Sequence, residues 1–288
     1  HLWSLRRQIF GLGSLQVVIS AVLMTVVATQ FGLSWEVAFV CSSGFVLTST
    51  AIVMQVLGER KALSTKPGQK IVSILLFEDL LIVPLLAVIT FLSPFEGESQ
   101  IVWWQSALIA MVALGALVFI GRFILNPVFK ILANSKAREV MTAAALFVVL
   151  GSGLLMEEAG LSMAMGAFVA GVMLSESSFR HQLEADIEPF RGLLLGLFFL
   201  GVGMSLNLDV VIENWSLILL GVISFMLTKG LCIYLVARVA KSSHKTALER
   251  AFLMAQGGEF AFVLFAAATA EGVIDQTINA NMTAIVVL

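Results

Sequence analysis

Apolar runs about as long as a bilayer is thick recur through all 288 residues of this chain, separated by short charged loops. About twenty such residues span the hydrocarbon core as a helix. The runs predict spans at 8–31, 35–57, 71–92, 101–121, 139–157, 159–175, 191–208, 214–238 and 250–270, with a truncated tenth from about 277. Those opening at Gly160 and Gly192 are short, which predicts tilt or distortion. Only 12% of the residues are charged, and 59% are hydrophobic. A soluble domain carries about twice that charge. The expected class is an all-α polytopic membrane protein. Trp35, Trp103, Trp104 and Trp215 fall at span ends, as an interfacial belt requires. Cys41 and Cys232 lie inside apolar runs and read as buried free thiols. The chain begins "HLWSLRR" and ends within an apolar run, "NANMTAIVVL", so it reads as a fragment of a longer protein.

The loops alternate in sign. Arg6 and Arg7; Arg60, Lys61, Lys66 and Lys70; Arg122, Lys130, Lys136 and Arg138; Arg180 and Arg191; and Arg238, Lys241, Lys245 and Arg250 all fall on one side. The other side holds Glu36, Glu96, Glu98, Glu157, Glu158, Asp209, Glu213, Glu271 and Asp275, without Lys or Arg. Basic loops stay in the cytoplasm, which predicts a multi-pass protein of the cell inner membrane. Sixteen of the seventeen basic residues obey this rule. The exception is Lys229, deep in an apolar run.

Lys229 has company at its depth. Glu78 and Asp79 follow Lys70 by eight and nine residues, Glu259 follows Arg250 by nine, and Lys229 precedes Arg238 by nine. Thr48, Ser49 and Thr50 lie about ten residues before Arg60. At the helical rise each is roughly 14 Å from the cytoplasmic rim, near mid-bilayer. A central Asp costs roughly 2.5–3.5 kcal/mol to insert, and such residues usually face a polar interior and act there. Buried ion pairs that only fix packing would match acids to bases, but three acids here meet one base.

Neighbouring helical residues point about 100° apart, so Glu78 and Asp79 do not face one partner squarely. One can pair with Lys229 while the other faces a water-filled cavity, where a carboxylate holds either a proton or a small cation. That competition is the simplest chemistry of a cation:proton exchanger. Two spans look interrupted. "GFVLTSTAIVMQ" carries Thr48, Ser49 and Thr50 mid-span, and "AQGGEFAFVL" carries Gly257, Gly258 and Glu259. Broken helices at mid-bilayer expose carbonyls and helix ends to ions, often in matching positions of inverted repeats. The two interrupted spans run in opposite directions by the charge pattern, as an inverted pair must.

Enzymatic readings fare poorly. His1, His181 and His244 all lie in loops, which removes an intramembrane histidine or His-ligated metal site. An intramembrane aspartyl protease needs two aspartates at depth, and Asp79 is alone there. A Ser49–Lys229 hydrolase survives only as a formal possibility. "GGEF" sits inside a span and is no nucleotide cyclase signature.

"LLFEDLLIVPLL", "LSMAMGAFVAGVMLSESSFRHQLEADIEPFRGLLLGLFFLGVGMSLNL" and "QGGEFAFVLF" closely resemble the membrane domain of Kef-type glutathione-gated potassium efflux systems, in the second branch of monovalent cation:proton antiporters. The resemblance runs over nearly the whole chain. It implies a sodium/proton-antiporter-like fold of thirteen spans, about ten of them present here, with inverted repeats and two crossed broken helices. It implies a homodimer and a cytoplasmic nucleotide-binding domain beyond the last span, through which nucleotide and glutathione act; no cofactor is expected in this chain. Asp79 would carry the ion or proton, Lys229 would be the core lysine, and "LTSTA" would lie on the first crossover helix. The family has Gln where this chain has Glu78, which leaves ion choice and stoichiometry open.

On this reading residues 1–92 and 209–288 form the ion-binding core, and 93–208 form the linker and dimer scaffold with a cytoplasmic loop at 176–191. The expected function is secondary exchange of K⁺, with Na⁺ second, for protons by alternating access. The monovalent cation would sit at Asp79. The rivals are a ligand-gated potassium efflux channel and a structural or receptor module in which the polar centre is dispensable. The loop "RHQLEADIEPFRG" presents Glu184, Asp186 and Glu188, with Pro189 expected to end it. The resemblance makes it the contact with the regulatory domain. Neither nucleic acid nor an enzymatic substrate is expected.

Overall fold

The computed structural model describes residues 8–94, 103–133, 138–206 and 208–288. Among them every regular element is helical. Six helical stretches are long and apolar enough to cross a bilayer: Phe10–Gln30, Trp35–Glu59, Lys66–Leu92, Val140–Glu158, Arg180–Met204 and Trp215–Val239. A pair bent by 42°, Met111–Phe123 with Leu125–Leu132, makes a seventh. The other three expected spans rest on shorter pieces: Met163–Ser175, His244–Met254 with Phe260–Ala270, and Gln276–Val287. Many large apolar side chains face outward, among them Phe91, Phe147 and Leu227. In water such a surface would aggregate; against lipid it is the ordinary exterior.

Two compact units divide the chain. One comprises His1–Pro94 with Ser205–Leu288, the other Phe95–Met204. In the first, a π-helical turn at Gln8–Gly13 leads into α1 (Ser14–Gln30), followed by α2 (Trp35–Val46), α3 (Thr50–Glu59), α4 (Lys66–Leu80) and α5 (Ile82–Leu92). In the second come α6 (Trp103–Phe123), α7 (Leu125–Ala133), α8 (Arg138–Glu158), α9 (Met163–Ser175) and α10 (Arg180–Ser205). The first unit resumes with α11 (Leu208–Glu213), α12 (Trp215–Val239), α13 (His244–Met254), α14 (Phe260–Ala270) and α15 (Gln276–Val287).

Local chemistry sets the ends. Gly32 and Gly272 take the left-handed conformation, at φ 83° and 69°. Two and three residues later, Ser34 and Asp275 cap the next helix by accepting from Val37 N–H and Ile278 N–H. Glycine reverses the chain without a Cβ clash, and the oxygen satisfies an orphan donor. Trp35 and Trp215 are the first residues of their helices and are exposed, while Trp103 and Trp104 have side chains outside the described residues. Cys41 and Cys232 are buried free thiols.

The core of the first unit joins Val53 and Leu57 of α3, Ile71, Ile74 and Leu75 of α4, Ile233 of α12 and Met254 of α13. The second unit has its own core, with Leu125 and Phe129 of α7, Met141 and Ala145 of α8, Leu174 of α9 and Leu183 of α10.

One expectation is corrected there. The segment 180–192 is not a loop ended by Pro189; it is the first part of one 26-residue helix, α10, with Pro189 inside it. Leu183 is buried in the second core and Ile187 packs against that cluster. These two residues are one helical turn apart, so an amphipathic face ties the segment down. Proline removes one backbone donor, and the packing of Leu183 and Ile187 in the turns before it holds the helix in place.

Candidate functional site

The polar centre starts from two interruptions. α2 ends at Val46, and Leu47 and Ser49 are extended, with ψ of 119° and 105°. Thr48 and Ser49 supply hydroxyls that compete with helical bonding, and Ser49 restarts the chain as the cap of α3 by accepting from Ile52 N–H. The second interruption runs from Ala255 to Glu259, between α13 and α14. The two meet at Gly258, where an added Cβ would lie 2.7 Å from Ser49 N and from the Thr48 carbonyl carbon. No residue but glycine fits so close a backbone approach.

Each interruption strips backbone groups of their helical partners, and buried side chains replace them. Thr48 N–H donates to Glu78 Oε2 at 3.0 Å. Lys229 Nζ donates to Phe45 O at 2.9 Å and to Gln256 O at 2.8 Å, one carbonyl from each side of the crossing. The ammonium therefore staples the two interruptions together. It also lies 5.8 Å from the Phe45 ring, a cation–π distance. The Thr48 hydroxyl donates to Met254 O at 3.4 Å, a further tie.

The two adjacent acids part company. Glu78 is 1% exposed and also accepts from Gln16 Nε2 at 3.3 Å. Lys229 acts on it electrostatically, yet no direct ion pair joins them among the described residues. Asp79 is half-buried, and the Thr50 hydroxyl donates to both its oxygens, at 3.0 and 3.1 Å. Glu78 and Glu259 both lie within electrostatic range of Asp79. Glu259 stands at the start of α14 without capping it. Just past the acids, Leu81 interrupts α4 and α5. The physical cause is Pro84, which has no N–H to give the carbonyl of Leu80.

All of Thr48, Ser49, Thr50, Glu78, Asp79, Lys229, Gly257, Gly258 and Glu259 thus fall in the first unit around one crossing. The carbonyls that the interruptions release were expected to face an ion. Two of them, Phe45 O and Gln256 O, instead accept from the Lys229 ammonium, while the Asp79 carboxylate accepts from the Thr50 hydroxyl. Gln16 escaped the sequence reading, although a lone amide within the apolar run of α1 was a signal for it. The lysine–carbonyl bonds had no signal, because backbone acceptors carry no side-chain identity.

Glu184, Asp186 and Glu188 lie on α10, in the other unit. Glu184 and Glu188 are exposed, and Glu188 stands 3.9 Å from Arg191 across the helix surface. His181 is exposed beside Arg180, His244 bonds the Tyr234 hydroxyl at 2.9 Å, and His1 lies outside the described residues. Among the described residues no three His, Cys, Asp or Glu side chains converge to hold a metal ion.

Comparison with known proteins agrees with this architecture. Residues 1–288 match the family described as "Sodium/hydrogen exchanger, transmembrane". A "Glutathione-regulated potassium-efflux system protein" of Haemophilus influenzae is 52% identical over 290 residues, covering all of this chain and 47% of that protein. KefC of Escherichia coli K12, a protein of the same description, is 43% identical over 289 residues, again covering all of this chain and 47% of the relative. The chain thus spans about half the length of the curated relatives it matches. Among solved structures, the sodium proton antiporter MjNhaP1 of Methanocaldococcus jannaschii superposes with a TM-score of 0.64 at 16% identity, over 99% of this chain and 74% of that one. That likeness establishes the fold, and the family is one of transporters, not enzymes. With helix interruptions that cross at a buried lysine and a carboxylate pair beside them, this membrane-embedded chain belongs to the sodium/hydrogen exchanger family.

Proposed function

We propose that this chain is the membrane part of a secondary transporter that exchanges a monovalent cation for protons, and that Asp79 alternately holds the cation and the proton. The observation that carries the reading is the half-buried Asp79 carboxylate, bonded to the Thr50 hydroxyl and set beside the crossing. A carboxylate there binds one cation or one proton, and each excludes the other. K⁺ is the first choice, since the relatives at 43–52% identity are described as potassium-efflux proteins, and Na⁺ is the second.

The first unit serves as the core that moves and the second as the linker and dimer scaffold of a homodimer. α3 and α14 are the crossed halves of an inverted repeat, and the basic loops face the cytoplasm of the cell inner membrane. Glutathione and nucleotide act through a cytoplasmic domain of the full-length protein. That domain rests on Glu184, Asp186 and Glu188, and partly exposed ion pairs are weak enough to part when a ligand binds.

The test is proton flux in vesicles holding the full-length protein, with K⁺ and Na⁺ added separately. Either cation should drive proton movement against a gradient, and Asp79→Asn should abolish it while insertion and oligomeric state stay intact. Cation flux that never drives protons identifies a gated channel. Exchange that persists in Asp79→Asn removes Asp79 from the mechanism.

A further inference from the structure

α15 opens with an uncharged but strongly polar stretch. Its first eight residues include Gln276, Thr277, Asn279, Asn281 and Thr283. Four of these, all but Asn281, line a cavity of about 230 Å³ closed on the other side by Leu206 and Val210. A water occupies about 30 Å³ of liquid volume, so the space takes a small cluster of waters. Along its wall the Thr283 hydroxyl donates to Asn279 Oδ1 at 3.3 Å, and Thr283 is 7% exposed. From Gln276 to Thr283 the polar face descends about 10 Å at the helical rise.

The surroundings select the sign of the guest. Asp275 directly precedes Gln276, and Asp209 directly precedes Val210, so two exposed carboxylates adjoin cavity-lining residues in sequence. That side of the sequence carries no Lys or Arg. A helix N-terminus ordinarily repels cations, but Asp275 Oδ1 accepts from Ile278 N–H at 2.7 Å and offsets the positive end. Clefts lined by one sign of charge concentrate the opposite ion. Amide and hydroxyl oxygens beside such carboxylates replace part of a hydration shell without trapping the ion.

We propose that this face of α15 lines the extracytoplasmic passage by which a hydrated monovalent cation enters or leaves the protein. The inference rests on the exchange reading of Asp79, and the first part of its test, thiol reactivity, is read without transport. Thr277→Cys and Thr283→Cys are made singly in the full-length protein, where Cys41 and Cys232 are 0% and 1% exposed and give little background. A membrane-impermeant quaternary-ammonium thiosulfonate is added from outside. Both cysteines should react, excess K⁺ should slow the reaction, and Ala284→Cys on the buried face should stay unmodified.

The fixed positive charge left at residue 283 should lower cation-driven proton flux roughly tenfold. A second pair separates charge from shape: Asn279→Lys should depress flux and Asn279→Asp should not. The passage is refuted if Thr283→Cys is as inert as Ala284→Cys, or if modification leaves flux unchanged, or if the two Asn279 variants behave alike. Thiol reactivity and its slowing by K⁺ do not depend on proton exchange, and the flux arms are read only where the unmodified protein exchanges, so a failed passage and a failed exchange reading are told apart.

Discussion

Gly258→Ala tests the crossing most directly. The added methyl carbon would stand 2.7 Å from Ser49 N and from the Thr48 carbonyl carbon, about 0.7 Å inside the lower limit of ordinary contact at 3.4 Å. Both obstructing atoms are backbone, so no side chain can swing away. Overpacking of this kind costs about 1–3 kcal/mol. The strain lands on the Thr48 N–H bond to Glu78 and, through the adjoining turn, on the Lys229 bond to Gln256 O. Gly257→Ala is the matched control. The nearest atoms to its methyl would be the Val286 side-chain methyls, at 3.3 and 3.4 Å, and a Phe45 ring carbon at 3.5 Å. Thermal unfolding of the two variants in the same detergent should show a clear loss for Gly258→Ala and little change for Gly257→Ala. Proton-coupled cation flux should fall in the same order. Equal stability and equal flux in the two variants would refute the claim that the interruptions meet at Gly258.

The Lys229 staple makes a thermodynamic prediction. Lys229→Ala leaves two carbonyls and the nearby Glu78 without their cation, and breaking such a buried arrangement costs about 3–5 kcal/mol; Glu78→Gln should recover part of that loss in unfolding measurements, whereas strictly additive losses would show that the two are uncoupled. For the proposed regulatory surface, Glu184→Gln with Asp186→Asn should raise basal flux in the full-length protein and leave a version cut after the membrane part unchanged, and an equal rise in both would place the effect on the ion path itself.

Much of this was legible because a bilayer leaves few options. A charge in an apolar run is costly, so Glu78, Asp79, Lys229 and Glu259 announced themselves by depth alone. Gly257–Gly258 and Thr48–Thr50 announced the interruptions through backbone chemistry. What stayed hidden depended on tertiary contacts. Pro189 was a sound reason to end a helix, and only the burial of Leu183 and the packing of Ile187 override it. The bonds from Lys229 depend on where two carbonyls arrive, 184 and 27 residues away in sequence. Spans near 159–175 and 250–270 were legible as apolar runs, but their helices are short because the left-handed turn at Gly160, φ 75°, and the Gly-Gly interruption remove turns from them.

The same contacts give adjacent acids different work. Glu78 is wholly enclosed and spends its oxygens on Thr48 N–H and Gln16, so it holds the crossing together. Asp79, one residue and about 100° further round the helix, is half-buried and accepts from the Thr50 hydroxyl, a group that an ion can share. A carboxylate in the first position stabilises an interruption whose partner already carries the Lys229 ammonium. A neutral Gln there could accept the same N–H but would leave that ammonium without its nearby anion. A Glu rather than a Gln at position 78 therefore alters the surroundings of Lys229 and leaves the half-buried carboxylate at position 79 as it is. On the proposed exchange reading, the chemistry is that of one carboxylate, with cation and proton competing at Asp79.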